Sequence, residues 1–408
     1  MTALGRLALT ETIRRGLLQA SASSLCRNTA LCLSTLPDTG TKMLAWQIDA
    51  YGGIDRLKLV EKAVPIITKP DQILIKVHAT SINPIDVRMR GGYGARLFNR
   101  IRGVTKEGDE LPLTLGRDCS GVIVDMGRLV KGFDVGQAVW ANVNGAHQGT
   151  HAQYVLVTKN DLSKKPENLT HVEAVSINYA AITTWSAVYA VAKIRPENAA
   201  DKRVLILGGS GGVGSFAIQL LKAWGAHVTT TCSAEAREFV SSLNPHQIVD
   251  YNRSDVESEL KRIGPFDFIL DTVGGNTEQY AMKAMNKGKG AQYVTLVSPL
   301  MVETDKQGLV RGSLSASWTL FNKTRQASKY GGKYRWSFAN PSTYALSEVA
   351  KLVEDELIRP CVEEIFPFTE LPEAFANIEK RSARGKTVVN VVGLEKKVPK
   401  SADFYMSQ

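Results

Sequence analysis

The 408-residue sequence predicts an α/β protein in which a β-rich unit precedes a doubly wound parallel sheet. Short segments of alternating apolar and polar residues, separated by glycines, occupy residues 43–157 and indicate half-buried strands. From about residue 200, short apolar strands alternate with helical segments, and a glycine-rich turn stands at the first strand-to-helix junction. Alternation of this kind implies parallel strands joined by right-handed crossovers.

The composition supports a folded protein with an ample core and narrows the functional classes. A hydrophobic fraction of 44% with 22% charged residues excludes a disordered or fibrous chain. The five cysteines are scattered and form no CxxC pair, which excludes a disulfide framework, zinc fingers and thioredoxin-like sites. The formal net charge of +10 is compatible with binding to nucleic acid, to an anionic cofactor or to a membrane surface, and also with a basic targeting segment.

Residues 1–40 have the composition of a mitochondrial transit peptide, which is arginine-rich, serine-rich and poor in acids. The segment contains four arginines, no lysine and two acidic residues. We therefore predict that it directs the protein to the mitochondrial matrix. A tail without function is the alternative.

Residues 43–178 form the predicted β-rich unit. In 72–79 (QILIKVHA), apolar and polar residues alternate as in a half-buried strand, and 121–126 and 150–157 show the same pattern. Residues 91–112 predict a long basic loop, and loops of this length are usually functional or mobile.

The longest uncharged stretch, residues 174–192, is nominally long enough to span a bilayer. It contains several serine, threonine and asparagine residues, however, and is too polar for lipid. We expect a buried helix here and no transmembrane segment.

Residues 179–340 form the predicted doubly wound sheet, with a helix at 213–224. Its strands are short apolar segments, at 203–207, 227–231, 248–251, 266–271 and 292–297. Residues 341–393 are predicted to complete the β-rich unit, with helices at 343–357 and 371–379 and strands at 362–366 and 387–392. Residues 394–408 predict a disordered tail.

The glycine turn at 209–214 (GSGGVG) follows a predicted strand and opens a helix, which is the setting of a dinucleotide-binding turn. Gly209 allows the tight turn, Gly211 the close approach of a pyrophosphate, and Gly214 close packing of helix on strand. The exposed N–H groups at the positive end of the helix would bind the phosphates. A plain glycine turn in an α/β sheet is the alternative.

The end of the second predicted strand indicates which nicotinamide cofactor binds. An NAD site places Asp or Glu there, about 20 residues after the turn, to bind the ribose 2′-hydroxyl. Here Thr231-Cys232-Ser233 carries no acid before Glu235, and Arg237 follows. Hydroxyl and guanidinium groups suit a 2′-phosphate, so NADPH is the predicted cofactor.

The sequence resembles the medium-chain dehydrogenase/reductase superfamily, and most of all its quinone oxidoreductase branch. The resemblance rests on the glycine turn and on two motifs of the β-rich unit, 83–86 (NPID) and 116–121 (GRDCSG). The resemblance implies a GroES-like catalytic domain and a Rossmann cofactor domain. Zinc enzymes of that superfamily carry cysteine where Asn83 stands and histidine where Arg117 stands, and their four-cysteine zinc lobe is absent from this sequence. Because an amide and a guanidinium are poor zinc ligands, no metal site is expected.

Further segments resemble the mitochondrial reticulon-interacting protein family, namely 113–118 (LTLGRD), 203–208 (RVLILG), 266–271 (FDFILD), 334–336 (YRW) and 384–387 (RGKT). The similarity covers residues 43–393. It implies NADPH oxidation in the mitochondrial matrix, a link to ubiquinone biosynthesis and a reticulon-type partner. It also implies three sets of cofactor contacts. The phosphates would be bound by Ser210, Gly212, Val213 and Gly214. The adenosine 2′-phosphate would be bound by Ser233 and Tyr251, and the nicotinamide would lie near Leu296.

Three side chains of the β-rich unit are candidates for stabilising charge on a reduced substrate: Asn83, Tyr93 and Arg117. The alternative for Asn83 is a turn held by an Asx–Pro pattern. For Arg117 it is an ion pair with Asp118 or another acid, and for Tyr93 a role in lining or capping the pocket.

The predicted activity is hydride transfer from NADPH to a quinone or quinone-like substrate. An enoyl-thioester reductase and a non-catalytic NADPH-binding partner protein are the alternatives. Nucleic acid is not expected, because the basic residues are dispersed along the sequence. A homodimer is expected by analogy with the superfamily.

Overall fold

A computed structural model of the chain describes residues 40–392 except 107, 254, 289 and 381–383. The predicted transit peptide, apart from its last residue, and the predicted tail at 394–408 lie outside the described residues. The described residues from Met43 onward belong to one compact unit. The limits of the three predicted segments within that unit, 43–178, 179–340 and 341–393, therefore stay predictions.

The strands of the described residues are β1 (Lys42–Ile48), β2 (Leu57–Ala63), β3 (Gln72–Ser81), β4 (Leu113–Thr114), β5 (Asp118–Met126), β6 (Ala138–Asn142), β7 (Tyr154–Thr158), β8 (Leu162–Lys164), β9 (Arg203–Leu207), β10 (His227–Cys232), β11 (Gln247–Asp250), β12 (Phe268–Asp271), β13 (Ala291–Thr295), β14 (Gly332–Trp336), β15 (Val362–Pro367) and β16 (Lys386–Asn390).

The α-helices are α1 (Pro84–Arg90), α2 (Ala95–Arg102), α3 (His171–Trp185), α4 (Pro196–Ala199), α5 (Gly212–Ala223), α6 (Arg237–Ser241), α7 (Val256–Ile263), α8 (Thr277–Lys283), α9 (Leu300–Gln307), α10 (Leu309–Ser328), α11 (Thr343–Glu354) and α12 (Leu371–Glu379). A π-helical segment, Ser186–Val191, continues α3.

The second half of the chain forms a six-stranded sheet in the order β11-β10-β9-β12-β13-β14, and each neighbouring pair is parallel. This is the strand order of doubly wound dinucleotide-binding sheets. The order reverses between β9 and β12, so that a crevice opens at the carboxyl ends of these two strands. The predicted parallel sheet is confirmed.

A seven-stranded, mainly antiparallel sheet takes strands from both ends of the chain. β3 lies in its middle and pairs with β5, β7 and β16, while β6 and β8 continue the sheet beyond β5. β15 pairs in parallel with β16 at the other edge. β1, β2 and β4 form a separate sheet in the order β2-β1-β4.

The apolar strand β9 is buried on both faces of the six-stranded sheet. Val204 and Ile206 join a core cluster with α3 and α5, whereas Leu205 and Leu207 join a cluster on the opposite face. Because successive strand residues point to opposite faces, a parallel strand covered on both sides needs a continuous apolar run. This requirement explains the sequence RVLIL.

Helix α3 and the π-helical segment confirm the buried helix predicted at 174–192. α3 contacts β3 and β5 of one sheet and α5 beside the other, so it lies between the two sheets. Its buried Asn178 donates from Nδ2 to the carbonyl oxygens of Cys119 and Ala141 at 3.2 and 3.0 Å. This polar residue of the stretch therefore joins the helix to β5 and β6.

The structure corrects the prediction of a loop at 91–112, because α2 lies within that segment. Gly94 and Gly103 bound the helix and adopt φ values of +75° and +76°. Glycine reaches positive φ at no steric cost, so these residues start and stop a helix that composition alone assigned to a loop.

Candidate active site and cofactor-binding turn

The carboxyl edge of the six-stranded sheet brings the predicted cofactor residues together. The turn with Ser210 follows β9, while Ser233, Tyr251 and Leu296 directly follow β10, β11 and β13. The backbone N–H of Tyr251 donates to the carbonyl oxygen of Cys232 at 3.1 Å, which places Tyr251 beside the end of β10. In sheets of this order, ligands bind at this edge, where the strand order reverses.

The glycines of the turn meet two different constraints. A Cβ on Gly214 would lie 2.0 Å from the carbonyl oxygen of Gly208, and one on Gly209 would lie 2.2 Å from Oγ1 of Thr230. A Cβ on Gly211 would meet only Gly208 O, at 3.9 Å. The protein's own packing therefore requires Gly209 and Gly214, whereas the space beside Gly211 is open.

This open space suits a dinucleotide cofactor. The first N–H groups of α5, from Gly212 and Val213 onward, have no partner within the helix, because the first turn of any helix leaves its donors free. Together with the positive helix end they favour an anion such as a pyrophosphate. The residues present thus fit a nicotinamide dinucleotide.

A segment from the far end of the chain forms a second wall of the turn. Gly385 N donates to the carbonyl oxygen of Ser210 at 3.0 Å, and Gly385 forms a β-bridge with Gly211. A Cβ on Gly212 would lie 2.6 Å from Cδ of Lys386. The start of β16 therefore lies directly against the cofactor turn.

The residues predicted at the adenosine end lie near the protein surface. Ser233 is half-buried, while Arg237 and Tyr251 are exposed. Nη1 of Arg237 lies 3.5 Å from the carbonyl oxygen of Ile248, so its guanidinium lies along β11. Hydrogen bonds from its own backbone N–H and from the Ser233 hydroxyl lower the pKa of the Glu235 carboxyl.

A buried polar cluster connects the β-rich unit to Lys386. Lys386 Nζ donates to Oδ1 of Asn83 at 2.6 Å and to the carbonyl oxygen of Ile82 at 3.2 Å. Nδ2 of Asn83 donates to Oδ1 of Asp118 at 3.1 Å, and the hydroxyl of Ser81 donates to the same carboxylate at 2.8 Å. We call Ser81, Asn83, Asp118 and Lys386 the lysine cluster.

Burial dominates the electrostatics of the lysine cluster. It raises the pKa of the Asp118 carboxyl to about 6, although the charge of Lys386 opposes that shift. Burial also lowers the pKa of the Lys386 ammonium, and the carboxylates of Asp118 and Asp86 oppose this change. Each charged form is therefore stabilised mainly by its buried counter-charges.

Arg117 is buried, with 2% of its surface exposed, and its partners are protein groups. Its guanidinium donates from Nη1 to the carbonyl oxygen of Asn144 at 2.8 Å. Nε lies 3.8 Å from Oδ1 of Asp86, which identifies Asp86, rather than the adjacent Asp118, as the acid beside this arginine. Asp86 also accepts from the backbone N–H of Asn83 at 2.9 Å.

Tyr93 lies between α1 and α2 and is half-buried. The guanidinium carbon of Arg88 lies 5.7 Å from the centroid of its ring, and burial raises the pKa of its phenol. Tyr179 of α3 is a second phenol in this region. Burial and then the charge of Asp86 raise its pKa, while Arg117 lowers it.

Within the described ranges, no group of three or more His, Cys, Asp and Glu residues is placed to hold a metal ion. Over the same part of the chain, no helix is both long enough and apolar enough to cross a membrane.

The open glycine turn lies where the strand order of the doubly wound sheet reverses, and a buried polar cluster of the mainly antiparallel sheet lies beside it. These features define a nicotinamide-dependent oxidoreductase with a GroES-like and a Rossmann part. The family model of the alcohol dehydrogenase GroES-like domain matches residues 69–167, and that of the zinc-binding dehydrogenase matches 243–389. The chain belongs to the medium-chain dehydrogenase/reductase superfamily.

Individual relatives narrow this assignment. NAD(P)H oxidoreductase RTN4IP1, mitochondrial, of Bos taurus is 48% identical over 364 residues, which cover 88% of this chain and 92% of the bovine one. Reticulon-4-interacting protein 1, mitochondrial, of Caenorhabditis elegans is 37% identical over 351 residues, covering 85% and 94%. The chain therefore belongs to the family of these mitochondrial NAD(P)H oxidoreductases, and the resemblance found in its sequence is confirmed.

A solved structure agrees with this family. The quinone oxidoreductase from Coxiella burnetii superposes with a TM-score of 0.71 at 27% identity, covering 86% of this chain and all of the bacterial one. The predicted fold class, with a GroES-like and a Rossmann part, is thereby confirmed.

Sequence reasoning did not single out Ser81, Asp118, Tyr179 or Lys386 as site residues. Lys386 stands in the segment 384–387, which drew attention only as a resemblance, and Asp118 follows Arg117 in the GRDCSG motif. No local pattern joins these residues, because the lysine cluster assembles through pairing of β16 with β3 and of β3 with β5.

Proposed function

We propose that this protein is a zinc-independent NADPH oxidoreductase that transfers a hydride to a quinone or quinone-like substrate. The observation that carries the proposal is the double contact of Lys386. Its stem lies against Gly212 of the cofactor turn, and its ammonium donates to Asn83 of the lysine cluster. The cofactor turn therefore lies beside Asn83, one of the three candidate catalytic residues.

The charges of the site support zinc independence. Asn83 Oδ1 accepts from the Lys386 ammonium, and the Arg117 guanidinium lies beside Asp86. Arg117 stands at one of the two positions where zinc enzymes of the superfamily carry ligands, and the Lys386 ammonium lies against Asn83 at the other. Two buried cations at this place would repel a divalent ion.

The end of β10 supports NADPH over NADH. No acid follows the strand before Glu235, and Ser233, Arg237 and Tyr251 offer two hydroxyls and a guanidinium. Arg384 lies near enough to lower the pKa of Glu235 and adds a second guanidinium. These groups suit a 2′-phosphate, which carries negative charge and strong acceptors.

Among the three candidate catalytic residues, Tyr93 is the group that can meet the substrate. The amide of Asn83 already forms hydrogen bonds with Lys386, Ser81 and Asp118. The guanidinium of Arg117 already donates to backbone carbonyl oxygens and lies beside Asp86. The bound nicotinamide would supply the hydride. The phenol of Tyr93, kept protonated by burial, would donate to the substrate oxygen that gains charge.

The wider role follows from the family. Its members named above are mitochondrial, and one is named for a reticulon contact. We extend the proposal to a transit peptide at 1–40, a matrix location, a link to ubiquinone biosynthesis, a reticulon-type partner and a homodimer.

The test is turnover by the purified protein with NADPH or NADH, against a short ubiquinone analogue and a crotonyl thioester. We expect reduction of the quinone analogue and about tenfold tighter binding of NADPH than of NADH. Turnover of the thioester alone would assign an enoyl-thioester reductase, and no turnover of either would favour a non-catalytic NADPH-binding protein.

Removing the Tyr93 hydroxyl tests its role separately. Tyr93→Phe should lower kcat about 100-fold while the Kd of NADPH stays unchanged, because a positioned proton donor contributes about that much. Tyr154→Phe, at a half-buried tyrosine of β7, is the matched control and should leave kcat unchanged. Equal activity of the two variants would exclude Tyr93 as the donor.

A further inference from the structure

One face of α10 presents large apolar side chains to solvent. Val310, Leu314, Trp318 and Phe321 are exposed by 74%, 67%, 66% and 57%, and the rings of Trp318 and Phe321 stack with centroids 5.7 Å apart. Because these residues are three or four positions apart, they lie on one side of the helix, along about 16 Å of its axis. We call them the apolar stripe.

The opposite side of α10 packs into the protein. Gly312, Ala316 and Ala327 are buried, and a Cβ on Gly312 would lie 2.3 Å from the carbonyl oxygen of Glu303 in α9. Lys323 also points inward, where it pairs with Glu278. The helix is therefore held in place without the stripe, whose burial the fold does not require.

The charged residues of α10 all have one sign. Arg311 and Lys329 are exposed and, at 3.6 residues per turn, lie on one flank of the stripe, while Arg325 is exposed one turn beyond Phe321. Residues 306–347 contain seven basic residues and no acidic residue. A helix with Trp and Phe on one face and cations beside them is typical of helices that lie in the surface of an anionic bilayer.

A second copy of the chain complements this surface less well than lipid does. In a twofold pair of antiparallel α10 helices the same surface meets itself, so the cations Arg311, Arg325 and Lys329 of one copy would approach the cations of the other. Like charges facing one another across an interface are unfavourable. Anionic headgroups instead complement all three cations, and Trp side chains favour the headgroup level of a membrane.

We propose that α10 docks the protein on an anionic phospholipid surface. The apolar stripe would enter the boundary between headgroups and acyl chains, and the three cations would contact headgroup phosphates. This docking does not depend on the proposed activity.

The test is cosedimentation with large unilamellar vesicles of phosphatidylcholine, alone or with about 30% phosphatidylglycerol. The chain from Met43 onward is used, because it forms a compact unit by itself and lacks the arginine-rich segment, which could bind anionic lipid independently. We expect binding to the anionic vesicles only. Trp318→Ser with Phe321→Ser should lower the partition coefficient about tenfold or more, and Arg311→Gln with Arg325→Gln should weaken binding and its salt dependence.

Ile66→Ser is the matched control, since Ile66 is 65% exposed and lies in the loop before β3. This variant should bind vesicles as the parent does. The proposal is overturned if the parent does not bind anionic vesicles, or if the Trp318/Phe321 variant binds as tightly as the control. Light scattering provides a second readout, because loss of a dimer in the Trp318/Phe321 variant would assign the stripe to a second copy instead.

Discussion

Lys386 Nζ donates a 2.6 Å hydrogen bond to Oδ1 of Asn83 across 303 residues of sequence. Lys386 is the first residue of β16, and Asn83 directly precedes α1. The stem of the same lysine lies against Gly212 at the start of α5. One buried cation thereby sets the position of the cofactor turn relative to the lysine cluster.

Lys386→Met is expected to lower the free energy of unfolding by about 3–5 kcal/mol, because the carboxylates of Asp118 and Asp86 lose a buried counter-charge. Urea unfolding at neutral pH measures the change. Lys380→Met, at an exposed lysine of the same segment, should stay within about 0.5 kcal/mol of the parent. A loss as small as the control's would show that the cluster does not depend on Lys386.

Gly211→Ala is expected to leave the melting temperature nearly unchanged, because its Cβ would meet no atom closer than 3.9 Å. The same methyl group should weaken NADPH binding about tenfold, since it occupies the approach to the pyrophosphate. Gly214→Ala should instead destabilise the fold by about 1–3 kcal/mol through its backbone clash. Titration calorimetry and thermal melts separate the two effects, and unchanged NADPH affinity in Gly211→Ala would place the phosphates elsewhere.

Ser233→Asp is expected to abolish the preference for NADPH over NADH. A carboxylate at the end of β10 repels the 2′-phosphate and accepts from a ribose 2′-hydroxyl, so NADPH should bind about tenfold more weakly and NADH no more weakly. Equilibrium titration with both cofactors measures this, with Ser241→Asp at an exposed serine of α6 as the control. An unaltered preference would remove Ser233 from the adenosine site.

The stability of the fold should depend on pH through Asp118, whose folded pKa of about 6 exceeds its ordinary value of 3.8. The folded state then binds more protons than the unfolded state between these values, so the stabilisation by the protonated acid is lost as pH rises through about 6. The unfolding free energy of the parent relative to Asp118→Asn should fall by about 2 kcal/mol from pH 4 to 7. Chemical unfolding of both proteins across that range measures the difference. A difference independent of pH would mean that folding does not raise the pKa of Asp118.

The parts of the fold that the sequence predicted are those with a local pattern. β9, the glycine turn and α5 follow one another within about 20 residues, and each carries its own periodicity or turn residues. α10 was not predicted, because it exposes Trp318 and Phe321 and buries Gly312 and Ala316, the reverse of the usual amphipathic pattern. The helix α2 was missed for a different reason, since its bounding glycines suggested a loop.

The sequence by itself determined the class of fold, the dinucleotide turn and the family, because short apolar strands, glycine spacing and motif residues are local properties. Only the tertiary structure decided that Arg117 lies beside Asp86 and that Lys386, Asn83 and Asp118 form one cluster. These contacts depend on which strands pair, and all six strands of the parallel sheet stand between β3 and β16 in the chain. Contacts between residues so far apart in the chain produce no periodic pattern in the sequence. Which side chains meet at the site could therefore be identified only from the tertiary structure.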